Sequence, residues 1–343
     1  MKPASTGSAA ASTRASPPGL SDLPRPLPRR DYSLFTRVIA RAFLHTVLRP
    51  MLWLLRVIGV WPRALTRGSA RMHSQFEGFT PTARDVLVCA YFKSGTNWTM
   101  QMALQIAWRG RAQFEHIHDL VPWLEIPARV KYTVPLSDSL WQCCPTQLRV
   151  IKTHLPFGKI VYNDAGRYIW VVRDPKDVFV SGYHFIRSIM LGPLMPSVEE
   201  WLDLYLSQDA FYGSWAQHLA SGWRVREADN VLFLTFEEMK RDRRGAIQRI
   251  AALLDVELRD AEFDAVSELA SFEHMQANSR CFDTRGLSPP WVDARGKMIR
   301  RGRAGGSDEL LSPQQQARID TYWRAQLAEL DCDFPYAEHY GAR

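Results

Sequence analysis

Apolar positions along this chain fall into two patterns. Between residues 86 and 236, short runs dominated by apolar residues recur. They are Val86-Leu87-Val88-Cys89-Ala90-Tyr91, Leu148-Arg149-Val150-Ile151, Tyr168-Ile169-Trp170-Val171-Val172 and Val231-Leu232-Phe233-Leu234-Thr235-Phe236. Runs that do not alternate with polar residues suit strands covered on both faces. Helical stretches separate them: residues 99–108 after the first run, a helix opening at Asp174-Pro175-Lys176-Asp177 after the third, and residues 246–254 after the fourth. Asp174 suits the cap of its helix and Pro175 the first helical position. The alternation predicts one α/β domain over residues 76–343, a central parallel sheet with helices on both faces. In such sheets ligand chemistry gathers where strands end and helices begin.

The second pattern lies near the N-terminus. Leu34, Phe35, Val38, Ile39, Ala42 and Phe43 recur at three- and four-residue steps, and Arg37, Arg41, His45 and Arg49 recur every four. That is an apolar face beside a basic stripe on one helix. Pro50 is expected to kink it, and the apolar character continues to about residue 60. No run of 18 uncharged apolar residues occurs, so residues 32–75 read as a basic amphipathic segment lying on a membrane surface rather than spanning it. The plainer alternative is a helix packed on the domain. Residues 1–31 are rich in Pro, Ser and Arg and read as a disordered lead-in. They contain no apolar core of a secretory signal, and their prolines oppose the amphipathic helix of an organellar transit peptide.

Charge sharpens this division. The formal net charge is +7, but residues 1–75 hold twelve basic and two acidic side chains, a net +10, leaving −3 on the remainder. A mildly acidic body disfavours nucleic acid as a partner. Hydrophobic residues at 46% and charged residues at 23% exclude global disorder. Five cysteines without a Cys-x-x-Cys pair point to neither a disulfide scaffold nor a thiolate metal site. His116-Ile117-His118 lacks neighbouring ligands, so no metal is expected there.

Candidate chemistry sits at the strand ends. The first run leads through Lys93-Ser94-Gly95-Thr96-Asn97-Trp98 into a helix, a cradle in which backbone N–H groups, two hydroxyls and a lysine can hold an anion. It is not GxxxxGK[ST], because Lys93 precedes the glycine, and this argues against a P-loop kinase. The second run ends in Lys152-Thr153-His154-Leu155-Pro156, which sets a candidate general base, His154, beside a cation. The third ends in Arg173, with Ser181 two helical turns on, a pair able to close on one phosphate.

Together these residues resemble the sulfotransferases that use 3′-phosphoadenosine 5′-phosphosulfate (PAPS), of the cytosolic and bacterial type. Lys93-Ser94-Gly95-Thr96 with Trp98, Lys152-Thr153-His154-Leu155-Pro156 and Val172-Arg173-Asp174-Pro175-Lys176-Asp177-Val178 leading to Ser181 occur in the family's order. Gly182-Tyr183-His184-Phe185, Phe236-Glu237-Glu238-Met239-Lys240, Ser271-Phe272 and Arg300-Arg301-Gly302-Arg303-Ala304-Gly305 extend the resemblance over about residues 80–335. It implies a P-loop-like fold and transfer of a sulfuryl group from PAPS to an acceptor hydroxyl, with no metal. It further implies that residues 93–98 hold the 5′-phosphosulfate and that Arg173, Ser181, Arg300, Arg301 and Gly302 hold the 3′-phosphate. Trp98 and Phe272 would sandwich the adenine, with Phe236 nearby. His154 would take the acceptor's proton while Lys93 and Lys152 balance charge.

Asn97, Phe236 and Ala270 depart from the family's usual threonine, tyrosine and threonine, and Gly306-Ser307-Asp308-Glu309 replaces an Asp-Trp-Lys stretch. The continuation through Leu311-Ser312-Pro313 and Arg318-Ile319-Asp320 resembles bacterial members. Trp123, Tyr132, Trp141, Phe185, Phe211, Tyr212 and Trp215 are candidates for an apolar acceptor pocket. With the basic helix, they point to a lipid or other apolar hydroxyl modified at the cytoplasmic face of a membrane. The alternative is a membrane-tethered nucleotide-binding protein without transfer activity.

Overall fold

The computed structural model describes residues 32–57, 78–123, 125, 132–207, 213–284, 288–292 and 298–341. The lead-in 1–31, the end of the basic segment beyond residue 57, Phe211 and Tyr212 lie outside the described residues. The four apolar runs form β1 (Asp85–Ala90), β2 (Arg149–Thr153), β3 (Arg167–Val172) and β4 (Val231–Thr235), all parallel, in the order β2-β1-β3-β4. The helices are α1 (Leu34–Phe43), α2 (Arg49–Val57), α3 (Thr96–Ala107), α4 (Ser139–Gln142), α5 (Pro175–Ile186), α6 (Val198–Tyr205), α7 (Trp215–Trp223), α8 (Phe236–Arg241), α9 (Arg243–Leu253), α10 (Asp260–Leu269), α11 (Phe272–Ala277), α12 (Pro313–Glu329) and α13 (Tyr336–Tyr340).

Strand parity builds the two layers. Val86, Val88 and Ala90 of β1, with Ile169 and Val171 of β3, pack against α3, α9 and α10. Leu87 and Cys89, with Tyr168, Trp170 and Val172, pack against α5, α6, α7 and α12. Every residue of β1 is buried, as strands covered on both faces require. β1 has β2 on one side and β3 on the other, so the chain reverses direction across the sheet at β1. The carboxyl end of β1 is thus the switch point, where a crevice opens.

Around the expected kink at Pro50, the chain runs helically from Leu34 to Val57 with a π turn at Leu44–Leu48. Pro50 has no N–H to donate and its ring crowds the carbonyl of Thr46, which lies inside that wider turn. Leu34–Leu55 is, by length and composition, long and apolar enough to cross a membrane. Its large apolar side chains face outward: Phe35 is 74% exposed and Trp53 66%. Leu44, in the π turn, is buried.

Candidate functional site

All four strands end at one cavity of about 780 Å³. Lys93, Gly95, Thr96, Asn97 and Trp98 follow β1, His154 follows β2, Arg173 follows β3 and Phe236 follows β4. Ser181, Phe272, Arg300, Arg301 and Gly302 line the same space.

The cradle is the first turn of α3, which begins at Thr96, three residues before the expected start. Gly95 is its cap with φ +96°, and no side chain caps the helix, so its leading amides face the cavity end. A Cβ on Gly95 would meet Phe236 at 2.8 Å, so glycine is required twice over, by conformation and by space. Lys93 also has positive φ, +63°, a strained conformation found at binding turns. Ser94 is fully buried and its Oγ has no hydrogen-bond partner. An orphaned hydroxyl beneath open helix amides fits an anion that has three or more oxygens to satisfy.

His154 is 5% exposed, and its Nδ1 lies 2.6 Å from the Ala90 carbonyl oxygen. A carbonyl only accepts, so Nδ1 carries the proton and Nε2 keeps its lone pair. Burial, then the neighbouring Lys152, hold the imidazole well below its ordinary pKa, so it is neutral at physiological pH. Lys152 lies with Nζ 3.3 Å from the centre of the Trp123 ring. Burial lowers its pKa, Glu125 opposes that shift and Lys93 adds to it. The half-buried Lys93 has its Nζ 4.2 Å from the centre of the Phe185 ring. Burial, then Arg173 and Arg300, push its pKa down to about 7. Lys93 and Lys152, with Arg173 and Arg300 near Lys93, make this end of the cavity receptive to anions.

Arg173 reaches Asp177 at 3.1 Å and the Arg303 carbonyl at 2.8 Å, while its Nε is buried without a partner. Its guanidinium lies 4.4 Å from the centre of the Phe236 ring. Asp177 accepts from the backbone N–H groups of Gly305 and Gly306, tying the C-terminal basic loop to α5. Gly302 has φ +56°, and a Cβ there would strike the Phe272 ring.

Comparison with known proteins now decides the family. The model of the sulfotransferase domain matches residues 83–331. Rat sulfotransferase 2A1 is 32% identical over 256 residues, covering 73% of this chain and 87% of that protein. Rabbit sulfotransferase 1C2 is 27% identical over 271 residues, covering 76% and 88%. The chain belongs to the sulfotransferase family. Among solved structures, a retinol dehydratase in complex with retinol and PAP superposes with a TM-score of 0.62 at 21% identity over 79% of this chain and 88% of that one. A mouse sulfotransferase complexed with PAP gives 0.60 at 24% identity over 77% and 90%. The expected α/β P-loop-like architecture is therefore the observed one, and the chain is a transferase of the sulfotransferase class.

The sulfotransferase cavity gathers every predicted site residue except Ser94, which lies buried beneath the cradle. Of the acceptor-pocket candidates, Trp123, Tyr132 and Phe185 line it. Trp215 does not. It is fully buried against Trp323, and its indole N–H donates to the Arg173 carbonyl at 3.1 Å. Trp141 does not either. It lies under the Arg84 guanidinium and donates to Asp138. Both contacts are core or surface packing that residue type alone does not separate from a pocket wall. His116 and His118 are each within 2.8 Å of a backbone carbonyl, of Asp283 and Val121 respectively.

Sequence reasoning missed Glu125. It is 2% exposed and accepts the His154 backbone N–H at 2.8 Å and the Trp123 indole N–H at 3.0 Å. Its segment is laid along β2 by a bridge between Trp123 and Lys152 and by the Lys152 N–H donating to Pro122. Burial raises its pKa, while the His154 N–H and Lys152 oppose that shift. One signal could have found it: a lone carboxylate in the apolar run Val121-Pro122-Trp123-Leu124-Glu125-Ile126. A charge so placed is normally partnered.

Proposed function

We propose that this sulfotransferase moves a sulfuryl group from PAPS to the hydroxyl of an apolar acceptor, with His154 as general base. The observation that carries this is the 2.6 Å contact of His154 Nδ1 with the Ala90 carbonyl oxygen, which assigns the proton to Nδ1 and leaves Nε2 the basic nitrogen. PAPS supplies the sulfuryl group and leaves as adenosine 3′,5′-bisphosphate (PAP). Residues 93–98 hold the 5′-phosphosulfate through the α3 amides, the Ser94 and Thr96 hydroxyls and the Lys93 ammonium. Trp98 and Phe272 take the faces of the adenine, as aromatic rings suit a base. Arg173, Ser181, Arg300, Arg301 and the Gly302 backbone take the 3′-phosphate.

His154 Nε2 accepts the proton of the acceptor hydroxyl as its oxygen bonds to sulfur. The bond from sulfur to the 5′-phosphate oxygen breaks, and Lys93 and Lys152 stabilise the charge that gathers on that oxygen. Both lysines gain protonation when an anion joins them, because burial and neighbouring cations, Arg173 and Arg300 for Lys93 and Lys93 for Lys152, depress their affinity for protons.

Phe92, Trp123, Tyr132, Phe185, Ile189 and Met190 line the remaining cavity, which suits an elongated apolar alcohol or phenol. Two solved structures of retinol dehydratase, one in complex with retinol and one with androsterone, hold molecules of that kind. The outward apolar face and the Arg37, Arg41 and Arg49 stripe support attachment of residues 32–60 to an anionic membrane, with the domain on the cytoplasmic side and a lipid hydroxyl as substrate. Each basic residue reaching the surface adds about 1 kcal/mol.

Transfer of labelled sulfate from PAPS to a panel of sterols, retinoids, phenols and lipid alcohols tests the reaction. Acceptor-dependent release of PAP is expected. PAPS binding without turnover on any of them would favour the nucleotide-binding alternative. For the membrane, full-length protein should pellet with anionic vesicles, partly release at high salt, and stay soluble once residues 1–75 are deleted. Equal pelleting of both proteins would remove the helix from the account.

A further inference from the structure

The basic loop at the cavity mouth already holds an anion that belongs to the chain itself. Glu309 ends a short 3₁₀ turn, Ser307–Glu309, and its carboxylate faces the two arginines assigned above to the 3′-phosphate. Arg300 donates to both its oxygens, at 2.7 and 2.9 Å, and Arg301 approaches Oε2 at 2.9 Å. His184 lies 3.2 Å from Oε1. The hydrogen bond from Arg300 holds the carboxyl below its usual range, so it is ionised at neutral pH.

A carboxylate and a phosphate present the same paired oxygens to a guanidinium. We infer that Glu309 is an internal competitor for the 3′-phosphate clamp, occupying Arg300 and Arg301 until the nucleotide's 3′-phosphate displaces it and recapturing them as the bisphosphate leaves. This rests on the reading that these two arginines hold the 3′-phosphate.

Comparison with a second carboxylate at this loop, Asp177, supports the distinction. Asp177 also contacts an arginine, Arg173, but it simultaneously accepts two backbone N–H groups, from Gly305 and Gly306. It is nearly inaccessible, and moving it would orphan both amides. Among the described residues the Glu309 carboxylate is bound by side chains, Arg300, Arg301 and His184, so it can swing away without leaving a backbone group unsatisfied. It is 21% exposed, and Arg301 is 54% exposed, so water can take over from the departing carboxylate. A carboxylate that remained beside an arriving dianionic phosphate would repel it, so exchange rather than sharing follows.

The two effects predicted are weaker binding and faster release of bisphosphate nucleotides than the clamp alone would give. The ion pairs are partly solvated, so the change is modest. Titration of PAP and of adenosine 5′-phosphate into wild type, Glu309→Gln, Glu309→Ala, Arg300→Ala and Arg301→Ala tests it. Both Glu309 variants should bind PAP about 3- to 10-fold more tightly, the scale expected for partly exposed ion pairs. Their PAP dissociation should slow to a similar degree, and affinity for adenosine 5′-phosphate should not change. Arg301→Ala should weaken PAP binding alone. If Arg301→Ala weakens PAP while both folded Glu309 variants bind it equally or less well, the clamp stands and the competitor is overturned. If neither Arg301→Ala nor Arg300→Ala distinguishes the two nucleotides, the clamp reading fails and the inference with it.

Discussion

The floor and the mouth of the cavity handle charge in opposite ways. On the floor, His154, Lys152 and Glu125 are all less than a tenth exposed, and burial shifts each toward its neutral form. At the mouth, Arg300, Arg301 and Glu309 are partly solvated and paired. Guanidinium groups keep their charge where an ammonium would surrender it, so arginine serves where the task is to hold a phosphate. Imidazole and ammonium serve where a proton must move or charge must be created on demand. Depth therefore separates transfer from grip, and the two should be separable by substitution.

The largest effect should come from the floor. His154→Ala is expected to lower turnover by about 10²- to 10⁴-fold, the usual worth of a general base. Glu125→Gln removes the charge and replaces one of the two acceptor oxygens with an NH2 donor, and should lower turnover by roughly 10- to 100-fold. It should also reshape the pH profile. Glu125 opposes the loss of the Lys152 proton, so without it the alkaline limb of the rate should move to lower pH. An alkaline limb left in place would confine Glu125 to a structural role.

At the mouth, Arg173→Ala should weaken PAP binding by roughly 10- to 100-fold, from charge-assisted hydrogen bonds worth about 1.5–3 kcal/mol. A nucleotide lacking the 3′-phosphate should bind almost as before, and equal losses for both would break the division.

The smallest effect concerns burial away from the cavity. Glu237 accepts the Asp174 N–H at 3.2 Å, and burial pushes its carboxyl up to about 7. Its folded pKa exceeds the ordinary carboxylate value. Its contribution to stability is therefore complete below about pH 4.5 and lost as pH rises through about 7. Glu237→Gln should flatten the fall in Tm over that window and raise stability at pH 8 by about 1–2 kcal/mol, after allowance for its incomplete burial. An unchanged slope would mean that water reaches this carboxylate.

The sheet was legible because the runs at 86–91, 168–172 and 231–236 show no polar alternation and the run at 148–151 carries a single polar residue, Arg149, which is buried in an ion pair with Asp85. The strand-end residues were legible because their chemistry is local: Lys93 to Trp98, Lys152 to His154 and Arg173 to Ser181 each lie within one turn or one helix. What escaped depended on contacts between distant segments. Glu125 reaches His154 across 29 residues through a strand-edge bridge. The start of α3 was placed late because backbone angles such as the positive φ at Lys93 and Gly95 leave no trace in hydrophobic periodicity. Trp215 was misplaced because a large aromatic suits a core and a pocket equally. The replacement of the Asp-Trp-Lys stretch was visible, but the capture of Arg300 and Arg301 by Glu309 required the loop's path.

The most direct test measures two quantities on the same variants, the single-turnover rate of sulfuryl transfer at saturating PAPS and the Kd for PAP. His154→Ala should lose the rate by about 10²-fold or more while binding PAP like the wild type. Arg173→Ala should lose affinity while its rate at saturation stays within a fewfold of wild type. If His154→Ala transfers sulfate at near the wild-type rate, or loses affinity as much as rate, His154 is not the base, and the separation of floor from mouth is contradicted.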